Sequence, residues 1–116
     1  VTTITTPGAA TYTAAQLKGG LILRAPNGSG RSDVTPTAAL LVAALPSAVV
    51  GTSFVFTIRN DADAAETITV TAGSGATLSG TMTIAQNNLK QFLVVLTNVT
   101  SGAEAYTVYS LGTVVF

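Results

Sequence analysis

From Ser53 onward the chain alternates apolar and polar residues with the two-residue period of a strand. Phe54, Phe56 and Ile58 interleave with Val55, Thr57 and Arg59, and Ile68 and Val70 interleave with Thr67, Thr69 and Thr71. Turn residues separate these runs: Asn60-Asp61-Ala62-Asp63, Gly73-Ser74-Gly75 and Thr100-Ser101-Gly102. Between the turns, Ala76 to Leu78 is a short pairing segment, and Met82 and Ile84 alternate with Thr81 and Thr83. Phe92-Leu93-Val94-Val95-Leu96 is apolar at every position, so a strand there needs cover on both faces. Tyr106, Val108 and Ser110 lead through a last strand towards Val114-Val115-Phe116. Threonine recurs in most of these runs, and β-branched side chains suit a pleated sheet.

The first half reads differently. Val1 to Thr6 alternates loosely before Pro7-Gly8, as an edge strand or an arm extended onto a neighbour would. Thr13 and Gln16 stand at capping-box spacing, with Gly19 as a stop, and predict a helical turn over about 14–18. Leu21-Ile22-Leu23 is a short buried strand, and Ala25 to Asp33 is a loop by composition, with Pro26-Asn27-Gly28 its turn. Thr35 as cap and Pro36 at the first helical position predict a helix over about 36–45, closed by Pro46. Its Ala, Leu and Val content is apolar on nearly every side, which predicts burial all round. Strands at intervals of about ten residues favour an antiparallel β-sandwich or jelly-roll-like barrel, mainly β, with that one short buried helix. The expected organisation is a single β-sandwich domain over 1–116, with 1–12 open to reading as an N-terminal arm.

Composition narrows the function. Charged residues are 9% of the chain, against about 25% in ordinary soluble domains. Five basic and five acidic side chains cancel. Five scattered cations make no basic stripe, so no nucleic-acid partner is expected. The mean hydropathy is +0.54, yet the longest apolar stretch, Ala38 to Val50, is interrupted at Pro46-Ser47. It falls short of the roughly 20 residues of a membrane helix, so no membrane partner is expected. No basic segment precedes an apolar run near Val1, so no signal peptide is expected, and a start at Val is consistent with earlier processing. A neutral, weakly charged surface favours association.

The chemistry-bearing residues are few. With no His and no Cys, Ser-His-Asp and Cys-His nucleophiles and the common zinc and iron sites are unavailable. Two facing carboxylates would suffice for a glycosidase, but Asp61, Asp63 and Glu66 fall in one turn, where they are expected to face solvent. That cluster also lacks the ligands and glycine of a calcium loop. The expectation is therefore no enzyme, no cofactor and no metal. Gly28-Ser29-Gly30-Arg31-Ser32 lacks the ending of a phosphate loop. It reads as a turn whose Arg31 pairs with Asp33, with Asp33 also favouring the following helix N-terminus. Asn27-Gly28-Ser29 and Asn98-Val99-Thr100 match the glycosylation sequon by chance. The expected partner-contact residues are Arg31, Asp33, Leu41, Leu45 and Phe92.

The segments Leu21 to Arg24, Asn27 to Asp33, Pro36 to Ala39, Val50 to Asn60, Ala65 to Thr69 and Tyr106 to Gly112 resemble small structural proteins of tailed bacteriophages. In particular the chain is similar to capsid decoration, or cement, proteins. That resemblance implies a β-sandwich or jelly-roll module on the outer surface of a virion capsid. It implies the major capsid protein and further copies of the chain, as a homotrimer, for partners. It offers no motif whose residues carry over individually. The alternative is a receptor- or glycan-binding module of a tail fibre or spike, reading its ligand through Asn27, Asp61, Asp63 and Tyr106. A secreted adhesion domain is a third reading.

Overall fold

A computed structural model describes all 116 residues. It contains β1 (Thr2–Ile4), α1 (Ala14–Lys18), β2 (Leu21–Arg24), β3 (Arg31–Val34), α2 (Ala38–Ala44), β4 (Ser53–Asn60), β5 (Ile68–Thr71), β6 (Ala76–Ser79), β7 (Thr83–Ile84), β8 (Asn88–Asn98) and β9 (Ala105–Val115). The strands form a six-stranded sheet, ordered β1-β2-β4-β8-β9-β6, and a three-stranded sheet, ordered β3-β5-β7. Eighteen buried side chains drawn from both sheets and both helices make one core cluster, which is compatible with a β-sandwich. Phe56 and Phe92 stack at its centre with ring centroids 5.0 Å apart.

The ladders are mixed, and the expectation of antiparallel pairing is corrected. β4/β8, β8/β9 and β5/β7 are antiparallel, but β1/β2, β2/β4, β3/β5 and β6/β9 are parallel. Parallel neighbours need crossover connections, and the two helices and the sheet-to-sheet loops supply them. The acidic turn after Asn60 is such a crossover. It carries the chain from the large sheet into β5 of the small one instead of closing a hairpin.

The loop expected over Ala25 to Asp33 is corrected at its end, where Arg31–Val34 forms β3 and pairs with β5, and the local helix signals divide. Thr13 and Gln16 form the capping box at α1, as their spacing predicts. For α2 the cap is Thr37, whose hydroxyl accepts from the Leu40 N–H. Thr35 is instead buried and accepts from the Gly73 N–H at 2.9 Å. The expectation that this helix is buried on every side is also corrected. Ala38 and Leu41 are buried, while Ala39 and Ala43 are exposed and Leu40 is 63% exposed. One apolar side suffices to seat a two-turn helix on a sheet core, and composition alone does not tell which side that is.

Candidate functional site

The N-terminal segment packs on the body of its own chain. β1 adds to the edge of β2, and residues 5–10 are tied down by one buried charge pair. Arg24 lies at the inward-facing end of β2 and is wholly buried, as is Asp33 of β3. Arg24 Nε meets Asp33 Oδ2 at 2.7 Å. A second N–H of the guanidinium donates to Asp33 Oδ1 at 3.2 Å, and the other three donate to the carbonyls of Thr6, Gly8 and Ala25. Asp33 also accepts from the Ala10 N–H at 2.8 Å and the Tyr12 hydroxyl at 2.7 Å. Every donor and acceptor has a partner, which is the condition under which a buried pair is tolerated. Burial, then the adjacent Asp33 charge, push the Tyr12 phenol well above its ordinary range.

The sequence expectation of an Arg31–Asp33 pair is thereby corrected. Arg31 turns the other way and donates to the carbonyls of Pro26 at 3.0 Å and Asn27 at 2.7 Å. It braces the turn at Asn27, where φ is +55°. Of the expected partner-contact residues, Asp33, Leu41 and Phe92 are fully buried and offer a partner no surface. Leu45 is half-buried against the core. Arg31 is half-exposed, but its head group is committed to the turn.

The acidic crossover does not form a ligand set. Asp61 pairs with Arg59 at 2.7 Å, and Asp63 is exposed. Glu66 is buried, contrary to its expected solvent position, and accepts from the Gly28 N–H at 2.6 Å. Of the other residues of the glycan-reading alternative, Asn27 and Tyr106 are occupied within the chain. Asn27 donates to the Thr5 carbonyl, and Tyr106 is buried with its hydroxyl donating to the Pro36 carbonyl. A groove of about 540 Å³ runs between α1 and α2 past Tyr12, Ala15, Val34, Pro36, Leu40 and Ala72. Its single titratable lining group is Tyr12, whose hydroxyl is already donated to Asp33. The groove therefore has shape but no reacting group.

The feature that remains is the outer face of the large sheet. The small sheet and the helices pack on the face that carries Ile22, Phe56, Ile58, Phe92, Val94, Leu96, Tyr106 and Val108. The alternating positions point away, and register lines them up in rows. Val55, Leu93 and Tyr109 form one row; Leu23, Arg59, Leu89 and Val114 form another. Val55 is 47% exposed, Tyr109 41% and Val114 56%. Arg59 is the one charged side chain in these rows, and it is matched by Asp61 and stacked 4.0 Å from the Phe116 ring centroid. The run Phe92 to Leu96 is thus apolar on both faces as its sequence predicts, with one face covered by the chain's own core.

No helix is long and apolar enough to cross a membrane. Comparison of the chain with protein-family models, curated proteins and solved structures found no match.

Proposed function

We propose that this protein is a non-enzymatic structural module that decorates a virion capsid, seating the outer face of its large sheet on neighbouring shell subunits. The observation that carries the reading is that face: two rows with Val55, Leu93, Tyr109, Leu23, Leu89 and Val114, separated by an uncharged row of Leu21, Thr57, Gln91 and Gly112, with a single, neutralised charge. Removing apolar surface from water stabilises by about 25 cal/mol per Å². A standard interface of about 1,600 Å² repeated over a shell would oppose its opening without any chemistry. The capsid as partner is drawn from the resemblance to decoration proteins. The two sheets sharing one core suit the sandwich those proteins imply, although the parallel ladders depart from an all-antiparallel jelly roll.

The test is binding to capsids assembled without this chain. The wild-type protein should bind and raise the temperature at which the capsids open. A Val55→Lys/Tyr109→Lys double variant should bind at least ten-fold more weakly, while its own melting temperature stays close to wild type, because both positions are exposed. Absence of wild-type binding, or undiminished binding by the variant, would overturn the proposal.

A further inference from the structure

We infer that residues 111–115 of β9 form an intermolecular strand-pairing edge whose occupant is the same segment of a second copy, antiparallel across a two-fold axis. β6 pairs with β9 only from Tyr106 to Tyr109. Beyond that point β9 continues to Val115 with β8 on one side and no strand on the other. A register shift sets Gly112 opposite Gln91, and the Phe116 N–H donates to the Asn87 carbonyl. Antiparallel alternation then turns the N–H and C=O of Thr113 and Val115 towards the open side. Unpaired groups of this kind specify their occupant chemically: another extended backbone.

The other edges are closed or shorter, β6 at the far side of the large sheet having four residues, Ala76–Ser79. β3 is flanked by residues 10–12, which exchange bonds with Val34. β7 has two residues and β1 three. Apart from the bulge at Leu111, the β9 edge lacks the usual protections, having no proline and no charge from Ala105 to Phe116. Leu111 is 52% exposed, Val114 56% and Val115 75%.

The same absence of charge argues for a second copy as occupant. An uncharged Leu-Gly-Thr-Val-Val segment pairs with itself without like-charge repulsion, and the chain as a whole has no net charge to oppose association. Centred on Thr113, the antiparallel register sets Leu111 against Val115 of the second copy and puts outward-facing groups opposite one another. This contact is isologous and closes at two copies. It therefore gives a dimer, where the phage resemblance implies a trimer, and it stands independently of the capsid reading.

Sedimentation of the purified chain tests this directly. The wild type should have twice the 11.6 kDa chain mass. Val115→Pro removes one outward N–H without touching the β8 ladder, and should weaken the dimer at least ten-fold. Val114→Lys should do the same, and mixing it with Val114→Glu should restore a heterodimer. On wild-type protein, the Val115 amide should be protected from hydrogen exchange at high concentration and lose that protection on dilution. A wild-type monomer or trimer, an undiminished Val115→Pro dimer, or concentration-independent exchange at Val115 would each overturn the inference. The Val55→Lys/Tyr109→Lys variant should still dimerise, so failure of capsid binding and failure of dimerisation are told apart.

Discussion

Arg24 and Asp33 are the residues on which the first third of the chain depends. Removing one partner of a buried pair leaves an uncompensated charge, at a cost of about 3–5 kcal/mol. Arg24→Met should therefore lower urea-unfolding stability by that amount, whereas Arg24→Met combined with Asp33→Leu should recover part of the loss. The pair was not legible in the sequence. Alternation with Ile22 places Arg24 on the inward face, but nothing local names a partner nine residues away in another sheet. Tyr12 and Tyr106 set the alkaline limit. Burial raises both phenols above 10.0, so the folded chain keeps protons that the unfolded chain releases. Their contribution is complete below pH 10 and is lost above it, by up to about 1.4 kcal/mol per pH unit for each group. Lys90 acts with the opposite sign. Desolvation lowers its pKa from 10.5, so its penalty is present at neutral pH and fades as pH rises through the lowered value towards 10.5. Unfolding midpoints should hold or rise slightly towards pH 10 and fall beyond it, and Lys90→Met should remove the rise.

The elements were recognised wherever a local rule decides them. The α1 capping box and the alternation of β4, β5 and β8 belong to that kind. The turn after β5 shows what local rules miss. Gly75 has φ of +85°, and a Cβ there would lie 2.6 Å from the Ala38 Cβ and 2.8 Å from the Glu104 carbonyl oxygen. The same turn serves α2, because the Ser74 carbonyl accepts from the Ala38 N–H at 2.8 Å. Gly-Ser-Gly announces a turn in any protein; that it docks against a helix start some 37 residues earlier depends on tertiary packing. Gly75→Ala should cost more than about 1 kcal/mol. Gly102→Ala, at φ of +84° with open space around it, should cost only the backbone strain. The difference in urea midpoint between the two variants measures the packing at Gly75.

At the scale of the molecule, two surfaces follow from the topology. The large sheet has covered one face with helices and the small sheet and left the other open and nearly uncharged, while β9 outruns β6 and leaves an edge. The capsid-binding and sedimentation experiments address these surfaces separately through Val55 and Tyr109 on the face and the Val115 backbone on the edge, whereas the Val114 side chain belongs to both. Scarcity of charge, the lack of His and Cys and the two-sided strand at Phe92 to Leu96 already pointed to association. Three of the five residues expected to make the contacts are buried, Leu41 and Phe92 because a core claims apolar positions first and Asp33 because it holds Arg24.

The sequence by itself determined that the chain is mainly β, where most strands and α1 lie, and which common chemistries its side chains cannot perform. These properties follow from side-chain identity and near-neighbour spacing. Only the tertiary structure decided which strands pair and in which direction, that Asp33 belongs to Arg24, that Glu66 is inside, and which face and edge remain open. Period-two alternation tells a strand's two faces apart, but it carries no information about the neighbour that will cover either one.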